Sequence, residues 1–296
     1  MDGVLLIDKP PGPTSHDVVA RLRGTSRERS IGHTGTLDPR ATGLLPLVCG
    51  RATRLASLLS GDDKVYEATI RLGWATDTDD ADGQSLGPPS SQLPTDADIE
   101  EAARAFRGTF DQMPPTHSAK RLGGHKAYDL ARNAAPVALR AVPVTVRALD
   151  LTGREGDELY LRVTATAGFY VRALARDLGD TLGCGAHLLA LRRTRSGAFD
   201  VAGALPLAAA ERLGPGVAAH VIAPAAALPH LPSVQVTASG LKRAVHGNAL
   251  GPEHLEGRSI PPHGAGGPVR VLGPDGQLVA LAHSRGGALH PAVVLG

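Results

Sequence analysis

The sequence predicts an α+β fold, a mixed and mainly antiparallel sheet with flanking helices, followed by a small β-rich tail. Three observations predict it. Segments of period two and segments of helical period follow one another without a regular strand–helix–strand rhythm. PVTVRALDL and ELYLRVTATA, two strand-like runs, are separated only by GREGD, which is hairpin chemistry. Near the end, VRVL and QLVALAH flank GPDG, another turn between apolar runs.

The elements follow in order. GVLLIDKP reads as a strand ending at Pro10. PGPTSHDVVARLRG then gives a turn, an N-cap at Thr14 or Ser15, and a short helix stopping at Gly24. LLPLVCG reads as a buried strand and RATRLASLLSG as a helix stopped by Gly61. KVYEATIRLG alternates, with Tyr66, Ala68, Ile70 and Leu72 on one face and Glu67, Thr69 and Arg71 on the other. An Asp/Gly/Pro/Ser-rich loop runs from Asp77 to about Pro94. TDADIEEAARAFRG is a capped helix with Ile99, Ala102, Ala103 and Phe106 on its apolar side. After the hairpin comes FYVRALARDLGDTLG, a helix with Val171, Leu174, Ala175, Leu178 and Leu182 facing a core. An Ala/Pro-rich connector from Pro224 to Pro232 leads into the tail, which holds SVQV, a small helix around LKRAVHG, and PAVVL.

Length and composition narrow the possibilities. With 296 residues the chain has room for about two domains, and 42% hydrophobic content can fill their cores. No apolar run is long enough to span a bilayer, and MDGVLLIDKPPG lacks the basic start of a signal peptide. Cys49 and Cys184 do not make a disulfide framework, which suits a cytoplasmic chain. The net charge is only +2, so placement matters more than total. Lys120, Arg121, Lys126 and Arg132, flanked by His117 and His125, form one basic segment. Arg192, Arg193 and Arg195 form another, and Arg172 and Arg176 stand one helical turn apart. Ordinary surface explains any one of these groups; together they favour a nucleic acid.

Three motif readings are set aside. GHTGTLD lacks the Lys-Ser/Thr of a phosphate-binding loop. TDTDDADGQS, framed on Gly83, puts Pro89 where a calcium loop needs its bidentate Glu. The histidines show no zinc spacing. GHTGTLDPRATGLLP is the informative stretch: one acidic residue, Asp38, sits in a loop constrained by Gly, Thr and Pro. A carboxylate can attack or stabilise an anomeric carbon, aromatics such as Tyr66 and Tyr170 can stack an extruded base, and Arg172 can hold a carboxylate ionised. Each also has a dull reading: a surface Asp in a turn, core tyrosines, an ion-pair arginine. Residue chemistry alone points to a nucleic-acid-binding chain and leaves action on a glycosidic bond open as one option.

These segments carry a resemblance. GHTGTLDPRATGLLP resembles the catalytic motif of the bacterial tRNA pseudouridine-55 synthases, the TruB family. LLIDKPPGPTSHDVV, KVYEATIRLGWATDTDDADG, PPTHSAKRLGGHKAYDLAR and GFYVRALARDLGDTLGCGAHLLALRRTRSGAF resemble further family blocks, in family order, as far as about Phe199. The resemblance implies a pseudouridine-synthase-type catalytic domain over residues 1–228, with an RNA-gripping insertion at about 112–140, and a PUA-like RNA-binding domain over 229–296. It implies isomerisation of uridine 55 in the tRNA T-loop, by C1′–N1 cleavage and reattachment through C5, with no cofactor and no metal. By motif position, Asp38 is the catalytic carboxylate, Arg172 its pairing arginine, and Asp80 a second partner of Arg172. His33 contacts the RNA, Tyr66 stacks on the target base, and Tyr170 and Leu191 complete the uridine pocket. Lys120, Arg121 and Lys126 meet the T-arm. His117 stands where the family usually has tyrosine. The implied partner is tRNA alone, with no membrane, no obligate protein partner and a monomeric enzyme. Two alternatives stay open: a tRNA-binding or tRNA-folding protein with secondary or lost catalysis, and a glycoside hydrolase. The second is disfavoured because no other carboxylate stands near Asp38 in the motif.

Overall fold

Strand β1 (Gly3–Lys9) is buried along nearly its whole length and pairs antiparallel with β3 (Thr42–Cys49), so the first motif and the GHTGTLDP loop meet at once. The computed structural model describes residues 1–115, 140–261 and 267–296, together with the backbone of residues 121–122 and 125–126. Helix α1 (Ser15–Ser26) starts in a capping box, where the Thr14 side chain accepts from Asp17 N–H and Asp17 answers to Thr14 N–H. It does not stop at Gly24 but runs to Ser26, ending where Arg27 takes a left-handed φ of 62°. One Gly inside a helix costs only about 1 kcal/mol, and Val18, Val19 and Leu22 on the buried face offset it. β2 (Ile31–His33) pairs with β3. The segment expected as one helix after β3 is a 3-10 turn over Gly50–Leu55 followed by α2 (Ala56–Ser60).

β4 (Lys64–Leu72), α3 (Asp96–Arg104), β5 (Gly108–Gln112), the short pair β6 (Arg121–Leu122) and β7 (His125–Lys126), and β8 (Val142–Glu155) follow. β8 and β9 (Glu158–Ala165) form the expected hairpin, but pairing continues to Glu155 opposite Glu158, leaving only Gly156 and Asp157 as the turn. Gly156 supplies the left-handed φ of 61° that a two-residue turn needs. Then come α4 (Val171–Thr181), β10 (Ala186–Ser196), β11 (Phe199–Asp200), β12 (Leu205–Pro206) and α5 (Leu207–Leu213).

The main sheet runs β12-β1-β3-β10-β4-β9-β8-β5 among the described residues. Most pairs are antiparallel; β1 with β12 and β3 with β10 are parallel. The fold is therefore the mixed, mainly antiparallel α+β sheet expected. The β3–β10 join is the seam of the sheet, with Thr42 opposite Arg192 and Gly43 opposite Arg193. A Cβ on Gly43 would lie 2.3 Å from the Arg193 carbonyl oxygen, so only glycine lets the two strands close. One apolar cluster, with Ile70, Leu161 and Leu174, packs beneath α3 and α4. Another, with Ile7, Val18 and Leu45, packs beneath α1 and α5. Tyr66 and Leu191 border both clusters. Truncating Ile70, fully buried, to Ala would cost about 2–5 kcal/mol.

The tail has its own four-stranded sheet, β13 (Ser233–Gln235), β14 (Val269–Leu272), β15 (Leu278–Arg285) and β16 (Ala288–Val294), with α6 (Ala238–Ala244) beside it. Val236, Val271 and Ala280 fill its core. A separate cluster joins tail residues Leu278, Leu281 and Leu295 to Val4, Leu44 and Leu55, so the tail is seated on the back of the first motif.

Candidate active site

The seam opens into a cavity of about 520 Å³, within the range of small-molecule sites. Asp38, Tyr66, Tyr170, Arg172 and Leu191 all line it, brought together from the β2–β3 loop, β4, the start of α4 and β10.

The loop that carries Asp38 is held from three sides. Ala41 N–H donates to Asp38 O at 3.1 Å, closing a turn with Pro39 at its second position, where a fixed φ suits it. Ser15 Oγ, at the start of α1, accepts from Leu37 N–H at 2.8 Å and donates to Leu37 O at 3.2 Å. Lys9 is fully buried, and its Nζ donates to the carbonyls of Pro10, Pro13 and Pro39 at 2.8–3.0 Å. Burial pushes the Lys9 ammonium down to about 8. Arg193, only 1% exposed, donates to Leu44 O at 2.7 Å and Gly35 O at 3.1 Å.

Arg172 meets Asp38 side-on: Nε lies 2.9 Å from Oδ2 and Nη2 donates to Oδ1 at 3.1 Å. The Arg172 side chain is 6% exposed and that of Asp38 40%, so the guanidinium is closed off while the carboxylate still faces the cavity. Arg172 Nη1 also lies 3.6 Å from Asp80 Oδ2 and donates to Thr78 O at 3.3 Å. Burial pushes the Asp38 carboxyl above the usual carboxylate range; Arg172 opposes this and Asp80 adds to it. Asp80 is fixed in turn, accepting from Thr78 Oγ1 at 2.6 Å and Asp82 N–H at 3.1 Å. The acidic loop is thus tied to α4 by Arg172 and Arg176. Beside it, Arg176 pairs with Asp79 at 3.1 Å and donates to Met113 O at 2.8 Å.

One expectation changes, that of open arginine surface; His33 and the Lys120–Arg132 segment lie away from the cavity lining or outside the described residues. Of the arginines read as basic surface, Arg172 and Arg193 are buried, while Arg176, Arg192 and Arg195 keep exposed area beside a carboxylate. Arg192 is engaged by Asp8 at 2.8 Å, Arg195 lies 3.8 Å from Asp200, and the others are bound as above. His33 is not among the residues lining the cavity. It is half-buried on β2, edge-to-face with His16 at 6.5 Å, and burial lowers its basicity. Lys120, His117 and Arg132 lie outside the described residues, as do the side chains of Arg121 and Lys126, whose backbones pair across β6 and β7. Sequence reading assigns no site role to Lys9, Gln112, Ser15 (a candidate N-cap only) or Arg193 (a member of a basic segment only). Two of them carried a signal: alternation puts Lys9 on the face of Leu5 and Ile7, and Arg193 on the face of Leu191.

A carboxylate paired with a buried arginine in a pocket with aromatic walls, on a mixed α+β sheet, suits the class of enzymes that take a base out of its stack. Comparison with known proteins makes this specific. The model described as the TruB family pseudouridylate synthase N-terminal domain matches residues 23–171, and that of the tRNA pseudouridylate synthase B C-terminal domain matches residues 172–212. The chain belongs to the TruB family. It is 42% identical to a tRNA pseudouridine synthase B of Thermobifida fusca, over 99% of this chain and 98% of the relative. It is 40% identical to that of Gloeobacter violaceus, over 100% and 99%. Among solved structures, it superposes on a chain of a Cbf5-Nop10-Gar1 complex with a TM-score of 0.75 at 28% identity, covering 100% of this chain and 85% of the other. A chain of an H/ACA RNP bound to a substrate RNA containing 2′-deoxyuridine gives 0.73 at 26%, covering 99% and 85%.

Proposed function

We propose that Asp38 is the catalytic carboxylate of this tRNA pseudouridine synthase and that its target is uridine 55 of the T-loop. Family membership makes the chain an enzyme that isomerises uridine to pseudouridine in tRNA. The observation that carries the assignment of Asp38 is its side-on pairing with a buried Arg172 in the lining of an aromatic-walled cavity.

The chemistry breaks C1′–N1, turns the base and joins it through C5, whose hydrogen leaves. Asp38 attacks C1′, or removes a ribose proton to give a glycal; either step needs it ionised. Arg172 supports that state against burial, and the three-sided anchoring of its loop fixes the carboxylate in place. Positioning of this kind lowers a barrier by up to about 7–11 kcal/mol. Tyr66 stacks on the extruded base, while Tyr170 and Leu191 bound it. His33 meets the RNA outside the cavity, and Lys120, Arg121 and Lys126 contact T-arm phosphates. Residues 1–228 form the catalytic domain, with an insertion at about 112–140, and 229–296 a PUA-like RNA-binding domain. The enzyme works in the cytoplasm as a monomer, without cofactor, metal or protein partner.

Mapping pseudouridine in a treated tRNA transcript, by carbodiimide adduct and primer extension, tests the target. A single stop at uridine 55 is expected. Stops elsewhere, with none at 55, would overturn the T-loop assignment.

A further inference from the structure

Helix α4 sets two walls of the site in its first turn. Tyr170 stands at the N-cap and Arg172 two residues on, so a small change in the N-cap backbone swings both. The side chain of the N-cap residue makes no capping hydrogen bond here. The N-cap is held by Gln112, the last residue of β5, 1% exposed and 58 positions away. Gln112 Oε1 accepts from Tyr170 N–H at 2.9 Å, and Nε2 donates to Tyr170 O at 3.0 Å. The two bonds close a ring across the Tyr170 backbone, holding φ at −115° and ψ at 117°. The next residue, Met113, gives its carbonyl to Arg176 on the following turn.

We propose that Gln112 is a positioning residue for the isomerisation: its amide sets the N-cap of α4 and thereby the placement of Tyr170 and Arg172 around Asp38. The inference rests on the reading of Asp38 and Arg172 as the reacting pair. A primary amide suits the task because it offers a donor and an acceptor from one planar group. An apolar side chain of similar size would fill the space and leave Tyr170 N–H unmatched. A protonated carboxylic acid would reproduce both bonds, and a carboxylate would lose the donor and face a carbonyl oxygen.

The test is the single-turnover rate on a tRNA transcript tritiated at uridine C5, for wild type, Gln112→Met, Gln112→Glu and Asp38→Asn. Each protein is first shown to be folded at each assay pH by circular dichroism. For Gln112→Met the rate falls about 10- to 100-fold, the scale on which sub-ångström misplacement acts, while the Kd for tRNA stays within about twofold. For Gln112→Glu the rate relative to wild type is high near pH 6 and falls at least about tenfold towards pH 8.5, as the buried carboxyl ionises. Wild-type turnover by Gln112→Met, or a Gln112→Glu ratio that does not change with pH, overturns the proposal. If Gln112→Met does not fold, the pH dependence of Gln112→Glu decides alone. Turnover by Asp38→Asn would instead strike the reading of the site itself; its inactivity beside wild-type rates in both Gln112 variants would remove only this inference.

Discussion

Helices α1 and α4 both begin at the active site, yet they are started in opposite ways. α1 is started by its own sequence: Thr14 and Asp17 complete a capping box within four residues, and Ser15 then reaches the loop of Asp38. α4 is started from a distance. Tyr170 at its N-cap has no side-chain cap, and Gln112 holds its backbone instead. The load differs too. The first turn of α1 offers a neutral hydroxyl to a backbone amide, whereas that of α4 places a buried cation among Asp38 and Asp80. Local rules suffice where a helix end only supports a loop. Where it must aim charge, the fold draws on residues far apart in sequence.

Substitutions on either side test this contrast. The largest effect belongs to α4. Arg172→Met leaves Asp38 and Asp80 without their shared cation; stranding a fully buried charge costs about 3–5 kcal/mol, and the cost here is below that because the Asp38 side chain is 40% exposed. Urea unfolding should register that loss, and pseudouridine formation should fall with it. A variant as stable and as active as wild type would break the contrast. On the α1 side, Ser15→Ala removes a hydroxyl that both donates to and accepts from Leu37, for about 1–3 kcal/mol, with a lower kcat because the Asp38 loop loosens. Thr14→Ala removes only the local cap, for about 1 kcal/mol in melting experiments, with kcat unchanged. If Thr14→Ala instead slowed catalysis as much as Ser15→Ala, the α1 cap would be part of the site and not merely its support.

The pH profile sharpens the same contrast. Burial raises the Asp38 carboxyl against the pull of Arg172. Only the ionised form acts, so kcat/KM should decline as pH falls, and the decline should be centred above the ordinary carboxylate range, reaching about tenfold per pH unit on the acid side. Ser15→Ala should leave the midpoint where it is, since Ser15 touches only backbone. A midpoint at the value of a free carboxylate would mean that Asp38 is not desolvated in the working enzyme.

The same division explains what was legible in the sequence. Period-two alternation found β4 and its buried face, and the two Thr-Asp caps found α1 and α3, because these signals lie within a few residues. The family blocks named Asp38, Tyr66, Tyr170, Arg172 and Leu191, and these five line one cavity. The charge pattern pointed to a nucleic acid, but it did not reveal which arginines are taken up inside the fold, because that pairing is non-local. Arg192 finds Asp8 184 positions away, and Arg193 spends its donors on Leu44 and Gly35, so part of a run that reads as open basic surface is engaged within the fold while Arg195 stays exposed. Gln112 was invisible for the same reason: nothing near it in sequence shows that its amide meets the Tyr170 backbone.

The central claim is that Asp38 performs the chemistry and that the surrounding residues aim it. The most direct test is tritium release from a tRNA transcript labelled at uridine C5, comparing wild type with Asp38→Asn at matched tRNA occupancy. The account predicts release by the wild type, and a loss on the order of 10³-fold or more in the variant with tRNA binding retained, the scale expected when a reacting group is removed. Release by the folded variant at a rate near that of wild type would contradict it, leaving Asp38 a turn residue whose pairing with Arg172 serves only the fold.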